Sequence, residues 1–208
     1  MSERVRASFD RIAEQYAADF ADELTRKPYD VAVLRGFAQR CPAPGLVLDV
    51  GCGPAGHVGR FVADRGARVV GVDLASRSLT VARRLNDPSL HFVAADMHAL
   101  PFTNGACTGI VAFYSLIYEA DPIPALVELR RVLRPGGSLL VAVHAGDGVS
   151  HFSDYKGLPV DVELHRRSPE KFAEQIRAAG FAVETVDRRP PYPFEHATER
   201  LYVTALAA

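Results

Sequence analysis

Three aspartates and a glycine-rich turn are the residues of this sequence whose spacing could bind a nucleoside ligand. The stretch LDVGCGPAG contains Gly51, Gly53 and Gly56 in the Gly-x-Gly-x-x-Gly spacing of a dinucleotide-binding loop. A loop of this kind, taken alone, indicates only that a ligand approaches the backbone closely where a helix begins. The acidic residues around the loop therefore have to decide which ligand it holds.

The three aspartates distinguish between possible ligands. Asp73 is placed to accept hydrogen bonds from both hydroxyls of a ribose, which is common to dinucleotide proteins and other adenosine binders. Asp49 stands just before the glycines, where a carboxylate is unfavourable beside a pyrophosphate but attracts an ammonium group. Asp96 and the apolar Met97 could hold an adenine, with the carboxylate accepting from the exocyclic amine. These residues favour an adenosine that carries an ammonium group and no phosphates.

S-adenosylmethionine is an adenosine with an ammonium group and no phosphates. Its own carboxylate could use the free N–H groups of the helix that begins near Gly56, where the helix dipole favours an anion. A nicotinamide cofactor is the competing possibility, and Asp49 together with the segment ADMHALPF argues against it. We therefore expect S-adenosyl-L-methionine as the cofactor.

Composition and charge narrow the class of protein. The 208 residues are 48% apolar with a net charge of −1, as expected for one soluble domain with a full hydrophobic core. Lysines and arginines are scattered, which argues against a nucleic-acid partner. No run approaches a membrane span and the charged N-terminus is unlike a secretory signal, so we expect a cytoplasmic protein without a membrane partner. The three cysteines have no metal-ligand spacing and are expected to be reduced.

Alternating apolar and amphipathic segments predict the elements that position these residues. Two helical segments, about Ser2 to Leu24 and about Tyr29 to Arg40, precede five strand candidates that are separated by helices. The strand candidates are Leu46–Val50, Arg68–Asp73, Leu90–Ala94, Gly109–Tyr114 and Ser138–His144. Alternation of this length indicates right-handed crossovers and a doubly wound, Rossmann-like α/β fold with a mostly parallel sheet. We expect a single domain over residues 1–208, with an N-terminal helical cap over residues 1–42.

The C-terminal part of the chain breaks this alternation. A helix from Pro169 to Ala179 is followed by two strands with no helix between them, Phe181–Asp187 and Leu201–Leu206, which predicts an antiparallel pair at one edge of a seven-stranded sheet. The stretch from about Ala145 to Arg167 is predicted to be irregular and to form a lid or substrate loop. Upstream, Pro135-Gly136-Gly137 is expected to form a turn between a helix and a strand.

Four motifs occur in a characteristic order: VLDVGCGPAG, VVGVDLAS, FVAADMHALPF and LRRVLRPGGSLLVAVH. With these motifs the chain resembles the class I S-adenosylmethionine-dependent methyltransferases, of the type that acts on small molecules, over nearly its whole length. It departs from the family at Ala55, which replaces the third glycine of the D-x-G-x-G-x-G pattern and for which Gly56 is expected to compensate. It departs again around Thr108-Gly109, where an acidic residue often precedes the fourth strand.

The resemblance implies a set of cofactor contacts. The methionine part of the cofactor would lie on the glycine turn, its ribose at the end of the second strand and its adenine on the segment after the third, while the N-terminal segment around FDRIAEQY closes over it. The expected contact residues are Tyr16, Asp49, Gly51, Cys52, Gly53, Asp73, Leu74, Asp96, Met97 and Phe113. Cys52 is expected to fit a tight turn and not to act as a nucleophile.

Methyl transfer from a sulfonium requires alignment of acceptor, methyl group and sulfur and exclusion of water, so no catalytic motif is obligatory. Tyr16, Tyr114 and His144 are the candidates for a base or an orienting group, and Tyr118 and His151 are the candidates for contact with the acceptor. For Tyr16 the alternative is a ring that packs on the domain with its hydroxyl in water. For His144 the alternative is a satisfied, partly buried histidine.

The function expected from these features is methyl transfer from S-adenosyl-L-methionine to a small organic acceptor. The alternative is a protein of the same fold that binds the cofactor for non-methylating chemistry, such as a cyclase or isomerase reaction, or for regulation. His151, Asp154, Glu163 and His165 match no metal-ligand signature, and we expect no metal. The sequence leaves the acceptor and the oligomeric state open.

Overall fold

A seven-stranded sheet with helices on both faces forms the centre of this computed structural model, which describes residues 3–41 and 43–208. The helices are α1 (Glu3–Phe20), α2 (Pro28–Arg40), α3 (His57–Ala63), α4 (Ser76–Leu85), α5 (Ile123–Val132) and α6 (Pro169–Ala178), with 3₁₀ helices at Glu23–Arg26 and Leu116–Tyr118. The strands are β1 (Leu46–Val50), β2 (Arg68–Asp73), β3 (His91–Ala94), β4 (Cys107–Phe113), β5 (Leu133–His144), β6 (Val149–Tyr155), β7 (Leu158–His165), β8 (Phe181–Arg189) and β9 (Arg200–Ala207). Of the predicted N-terminal cap, Met1, Ser2 and Pro42 lie outside the described residues.

The strand order β3-β2-β1-β4-β5-β9-β8 confirms the predicted doubly wound fold. Strands β1 to β5 run parallel, and the order reverses between β1 and β4, so a crevice opens beyond the carboxyl ends of these two strands. Both faces of the parallel strands are covered, which explains their continuous apolar sequences. In β1, for example, Leu48 and Val47 are fully buried in separate apolar clusters on opposite faces of the sheet.

The strand pair β8 and β9 closes one edge of the sheet, as predicted. β9 runs antiparallel to both of its neighbours, β5 and β8. Tyr202 is therefore opposite Ala142, and Arg200 is opposite His144. This register brings the first residues of β9 to the carboxyl end of β5, next to the crevice.

Residues 145–167 contain a β-hairpin, so the prediction of an irregular loop was wrong. β6 and β7 pair antiparallel around the turn Lys156-Gly157, in which φ is 51° and 85°. Two residues with positive φ match the twist of a two-stranded hairpin. Val160 and Val162 are buried and alternate with less buried residues along β7. The polar residues that alternate with these valines, and the lysine in the turn, made the strand pattern harder to recognise in the sequence.

The hairpin and α1 pack on each other through a small apolar cluster that is separate from the two sheet cores. Val5 and Ile12 of α1 meet Val160 and Val162 of β7. α1 also lies along α4, where the Asp10 carboxylate accepts a hydrogen bond from a backbone N–H in the first turn of α4 at 2.8 Å. We call α1 together with β6 and β7 the cover, because it lies over the region beyond the end of β2.

The segment Pro135-Gly136-Gly137 lies inside β5, whereas a turn before the strand was expected. β5 begins at Leu133, directly after α5, and its pairing with β4 shifts register between Cys107 and Gly109. Gly136 has a left-handed φ of 70°, which a glycine adopts without strain. The glycines therefore allow a bulge within the strand and not a turn that precedes it.

The N-terminal cap consists of α1, the first 3₁₀ helix and α2. The first predicted helix was expected to reach Leu24, but α1 ends at Phe20 and is followed by the 3₁₀ helix Glu23–Arg26. Across residues 3–41 and 43–208, no helix combines the length and the apolar character that a membrane crossing needs.

Candidate cofactor and acceptor site

The turn after β1 requires glycine at its first position. Gly51 has a φ of 75° and donates its N–H to the Val72 carbonyl at 2.7 Å. A Cβ there would lie 2.2 Å from the Cβ of Ser115, whose hydroxyl donates to the Val50 carbonyl at 2.7 Å. The turn is therefore pressed against the segment after β4, and a side chain does not fit at residue 51.

Gly56, one residue after Ala55, lies where a side chain would not fit. It precedes α3 with a φ of 59°, and a Cβ there would lie 2.9 Å from Nδ2 of Asn86 and 3.1 Å from the ring of Phe92. Ala55 is buried, and its carbonyl accepts a hydrogen bond from the same Asn86 amide at 3.0 Å. These contacts explain the glycine at residue 56, and its compensation for Ala55 stays a prediction.

Asp73 ends β2 and is tied to the glycine turn. Its Oδ2 accepts the Gly53 N–H at 2.9 Å and its Oδ1 accepts the Ala75 N–H at 2.8 Å. Burial raises the pKa of Asp73, although these N–H groups act to lower it. Beside the carboxylate lies a small cleft whose lining includes four of the predicted cofactor residues. The lining residues are Val50, Gly51, Val72, Asp73, Leu74, Ala95 and Met97.

Asp96 stands between two residues of this cleft and is bound by a histidine that the sequence analysis missed. Its Oδ1 accepts the His98 N–H at 3.0 Å and lies 2.7 Å from Nδ1 of the same residue. Nε2 of His98 is 3.3 Å from Oε2 of Glu119, so the histidine joins the segment after β3 to the segment after β4. The neighbouring Met97 is 4% exposed and lines the cleft. The short spacing from Asp96 to His98 was the available signal for this pair.

Asp49 lies underneath the glycine turn and does not line the cleft. The residue is 1% exposed, and its Oδ2 accepts the Gly59 N–H at 2.8 Å. A Cβ on Gly59 would lie 3.0 Å from this oxygen, so α3 approaches the carboxylate closely. In this structure Asp49 therefore binds the first turn of α3, and its contact with a ligand ammonium group stays a prediction.

Asp49 is expected to make the folded protein less stable as pH rises from about 4 to about 7. Burial, followed by the nearby Asp73, raises the pKa of Asp49 from 3.8 to about 7. Between these values the carboxyl is protonated only in the folded chain, so folding takes up a proton and each rise in pH opposes it. Replacing Asp49 with asparagine should remove this slope, which amounts to at most about 4 kcal/mol across the window.

Urea denaturation of the wild type and of Asp49→Asn over this pH range measures the difference in slope. Asp187→Asn is the matched control, because Asp187 is exposed on the edge strand β8. Parallel stability curves for the wild type and Asp49→Asn would show that Asp49 is ionised throughout.

Tyr114 and His144 come together at the carboxyl ends of β4 and β5. Their rings are 5.6 Å apart, and the Tyr114 hydroxyl is 3.0 Å from that of Tyr202. His144 is buried, with Nδ1 hydrogen-bonded to the Thr198 hydroxyl. Burial and the nearby Arg200 lower the pKa of His144 to about 3, so the imidazole is neutral at physiological pH. This environment matches the alternative, a partly buried histidine whose hydrogen bond is made within the protein. A catalytic role for His144 stays a prediction.

A cluster of buried charged residues joins the N-terminal cap to the loop before β9, and the sequence analysis did not predict it. Lys27 bridges Glu23 at 2.6 Å and Glu195 at 3.1 Å, while Arg189 bridges Glu195 at 2.6 Å and Asp30 at 2.8 Å. Burial acts to raise the pKa of Glu195, but Arg189 and Lys27 hold it at about 2. We call these five residues the ion-pair cluster.

The ion-pair cluster connects the glycine turn with Tyr114. At one end, Nε2 of His57 lies 2.8 Å from Oε1 of Glu23, and His57 begins the helix after the turn. At the other end, the Tyr202 hydroxyl donates to Oδ1 of Asp30 at 2.6 Å and lies beside the Tyr114 hydroxyl. Buried charges of both signs thus lie behind the predicted cofactor and acceptor positions.

Tyr16 of the cover and Tyr118 of the second 3₁₀ helix belong to one aromatic group. The Tyr16 ring is 5.6 Å from that of Phe9 and 5.7 Å from that of Tyr155, and Phe9 is 5.0 Å from Tyr118. Burial and the neighbouring Tyr118 raise the pKa of Tyr16. The ring of Tyr16 therefore packs on its neighbours, as its alternative requires, and the residue is partly exposed.

Phe113 and His151 do not line the cleft. Phe113 is 8% exposed and its ring is 5.0 Å from that of Tyr114, within a core cluster. His151 lies on β6 with about half of its side chain exposed, and its Nε2 is 2.9 Å from Oδ1 of Asp161. Their predicted contacts with cofactor and acceptor stay predictions. Cys52, in the turn, is buried, and burial raises the pKa of its thiol, which suits a packing role.

The histidines and carboxylates of the hairpin do not gather around one point. His165 lies 3.4 Å from Glu163, and Asp154 accepts the Gly157 N–H at 3.1 Å. Within the part of the chain that the structure describes, no group of three or more His, Cys, Asp or Glu side chains is placed to hold a metal ion.

Known proteins are similar to this chain in sequence and in fold. A family model described as a methyltransferase domain matches residues 48–141. A demethylmenaquinone methyltransferase from Renibacterium salmoninarum is 31% identical over 195 residues, which are 83% of this chain and 81% of the relative. A malonyl-[acyl-carrier protein] O-methyltransferase from Enterobacter lignolyticus is 34% identical over 145 residues, 70% of this chain and 55% of the relative. A solved SAM-dependent methyltransferase from Methanosarcina mazei has a TM-score of 0.72 at 15% identity, covering 84% of this chain and 96% of that one.

The doubly wound sheet, with a cleft at the carboxyl ends of β1, β2 and β3, defines a Rossmann-like protein. The sequence relatives make the assignment specific: the chain belongs to the class I S-adenosylmethionine-dependent methyltransferases. It spans between 44% and 67% of the length of four curated relatives that it matches. The residues of the cleft suit the family's cofactor in their chemistry, because the Asp73 carboxylate could accept from a ribose and Met97 could pack on an adenine. The backbone at Gly53 is open, since a Cβ there would meet no described atom within 4 Å.

Proposed function

We propose that this protein transfers the methyl group of S-adenosyl-L-methionine to a small organic acceptor. The observation that carries the proposal is the cleft in which Gly51, Asp73 and Met97 meet at the carboxyl ends of the strands. The relatives support the reaction, because they are named methyltransferases. Their names give malonyl-[acyl-carrier protein] and demethylmenaquinone as acceptors, two different molecules, so the acceptor of this protein has to be found by experiment.

In this proposal each part of the cleft binds one part of the cofactor. The Asp73 carboxylate accepts hydrogen bonds from the ribose hydroxyls, and Met97 packs on the adenine. The backbone of Gly51 and Gly53 lies against the methionine part. The other predicted contacts remain part of the proposal: Tyr16 on α1, Asp49 in β1, Cys52 in the turn after it, Leu74 in the cleft wall, Asp96 beside Met97, and Phe113 at the end of β4.

The reaction requires mainly an aligned and dry site. When bound, the cofactor supplies a methyl group on a positively charged sulfur. In this proposal Tyr16 of the cover and Tyr118, whose rings both lie against Phe9, would help to keep water from the reacting atoms. Tyr114 and His144 lie at the neighbouring strand ends, where the acceptor is expected. Because His144 is neutral at physiological pH, it would hold the acceptor by a hydrogen bond and not by charge.

Incubation with S-adenosyl-L-methionine and a panel of small phenols, alcohols, amines and organic acids tests the proposal. We expect S-adenosylhomocysteine and a methylated product to form together, as detected by mass spectrometry. Saturable cofactor binding without a methylated product across the panel would favour the alternative of non-methylating chemistry or regulation. The named methyltransferase relatives do not favour that alternative.

Replacing Asp73 with alanine is expected to weaken cofactor binding by about 1.5–3 kcal/mol, the contribution of hydrogen bonds to a charged group. The dissociation constant for S-adenosylhomocysteine, measured by calorimetry, should rise roughly 10- to 150-fold. Asp187→Ala, on the edge strand far along the sheet order from β2, should leave it unchanged. Equal affinities for the wild type and Asp73→Ala would mean that the ribose lies elsewhere.

The proposal also retains two coarser expectations from the sequence. A cytoplasmic location and the absence of a nucleic-acid partner follow from composition and charge distribution alone, and they stay predictions. Cell fractionation and an electrophoretic mobility assay with RNA and DNA would test them.

A further inference from the structure

The Tyr114 hydroxyl is held by a chain of buried hydrogen bonds that the proposed reaction has not yet used. It lies 3.0 Å from the Tyr202 hydroxyl. The Tyr202 hydroxyl lies 2.6 Å from Oδ1 of Asp30 and 2.9 Å from Nε of Arg189. Tyr202 is 1% exposed and Asp30 is fully buried, so water does not compete for these bonds.

The direction of each hydrogen bond in this chain is determined by its partners. A guanidinium has only donors, and a carboxylate paired with it has only acceptors. Asp30 is paired with Arg189 at 2.8 Å, so the single hydrogen of the Tyr202 hydroxyl goes to Asp30. The Tyr202 oxygen then accepts from Arg189, and its remaining lone pair is available to Tyr114. Tyr114 must therefore donate its hydrogen to Tyr202.

This direction leaves the Tyr114 oxygen able only to accept. Among the described residues, Tyr202 is its only hydrogen-bond partner. Tyr114 directly follows β4 with an unusual φ of 58° and is partly exposed. The next residue, Ser115, is pressed against Gly51 of the cofactor turn. Tyr114 therefore lies at the carboxyl end of β4, next in sequence to a residue that touches the cofactor turn, at the edge of the sheet where the methyl donor is expected.

We propose that Tyr202 and Asp30 are positioning residues that fix Tyr114 as a hydrogen-bond acceptor, so that the site selects a neutral acceptor molecule carrying an O–H or N–H group over an anionic one. This inference rests on the proposed function, because it assumes that the acceptor lies beside the cofactor. An anion could bind the Tyr114 hydroxyl only if that hydroxyl donated its hydrogen to the anion and not to Tyr202. The Tyr202 oxygen would then lose a hydrogen-bond partner in a buried site. The discrimination should be about tenfold, the size of one neutral hydrogen bond.

Phenol and benzoate are matched probes for this selection, because they share a ring and differ in the polar group. Their dissociation constants are measured by calorimetry on the complex with S-adenosylhomocysteine. We expect phenol to bind more tightly than benzoate to the wild type. In Tyr202→Phe the Tyr114 hydroxyl is released to donate, so the preference for phenol should fall by about tenfold. Tyr114→Phe should abolish the part of the preference for phenol that comes from this hydrogen bond.

Tyr29→Phe is the matched control, since the Tyr29 ring lies 5.1 Å from that of Tyr202 and its hydroxyl is outside the chain of bonds. It should retain the wild-type preference. If Tyr202 has only a structural role, Tyr202→Phe will weaken the binding of phenol and benzoate equally. An unchanged ratio of their two dissociation constants would therefore overturn the inference. A wild-type preference for benzoate, or binding of neither probe at millimolar concentration, would overturn it as well. Failure of S-adenosylhomocysteine itself to bind would instead count against the proposed function.

Discussion

Replacing Arg189 with methionine is expected to lower the free energy of unfolding by about 3–5 kcal/mol, the cost of leaving buried charges without their partner. Arg189 is 6% exposed and binds both Asp30 and Glu195. Methionine fills much of the same volume, so the loss would come from the two unpaired carboxylates. Urea denaturation at neutral pH measures the effect.

Arg188→Met is the control for this substitution. Arg188 is adjacent in sequence, more than half exposed, and lies 3.5 Å from the exposed Glu199. Surface ion pairs of this kind contribute about 0–1 kcal/mol, so little change is expected. If Arg189→Met were no more destabilising than Arg188→Met, the ion-pair cluster would not be needed for the stability of the fold.

Gly51→Ala is expected to destabilise the protein by roughly 2–5 kcal/mol, the sum of left-handed backbone strain and overpacking. The residue has a φ of 75°, and the new Cβ would overlap the Cβ of Ser115 at 2.2 Å. Because the turn would have to move away from β4, binding of S-adenosylhomocysteine should be lost together with stability. Thermal unfolding and calorimetry on the same variant measure both effects.

Gly66→Ala separates backbone strain from overpacking. Gly66 also has a positive φ, 93°, but a Cβ there would meet no described atom within 4 Å. It should cost only the strain, about 1–2 kcal/mol, and leave cofactor binding intact. Equal losses of stability for Gly51→Ala and Gly66→Ala would show that the turn can move away from Ser115 at no cost.

The parallel part of the fold could be predicted from sequence because its signals are local. β1 and β2 have the predicted bounds, Leu46–Val50 and Arg68–Asp73, since each is a short apolar run that ends at a turn. Asp73 was placed correctly at the end of its strand because the run itself ends there. The cleft residues Leu74 and Met97 lie within three residues of the ends of β2 and β3, so the carboxyl edge of the sheet brings them together.

Other features depend on contacts between distant parts of the chain. Asp30 and Arg189 are in a helix and in an edge strand, and only the packing of the cap against β8 and β9 brings them together. The hairpin was missed because its apolar residues, such as Val160 and Val162, face α1 and not the main sheet. Neither contact leaves a pattern at short range in the sequence.

The depth at which a side chain near a strand end lies could not be predicted from the sequence either. Asp49 and Asp73 both lie at the carboxyl ends of parallel strands, but Asp49 is one residue before the end of its strand. Its side chain faces α3 and binds the Gly59 N–H, whereas Asp73 binds the glycine turn at Gly53. The register pairs Asp49 with Gly71, two residues before Asp73 on the same face of the sheet. Asp49 therefore lies deeper, where α3 approaches closely, and Asp73 lies beyond it at the strand end.

We propose the cleft beside Asp73 as the binding site of S-adenosyl-L-methionine. Calorimetric titration of the intact chain with S-adenosylhomocysteine, and separately with NADH, tests it most directly. We expect one saturable site for S-adenosylhomocysteine and none for NADH. Binding of NADH in its place, or no binding of S-adenosylhomocysteine at millimolar concentration, would contradict the assignment of this cofactor.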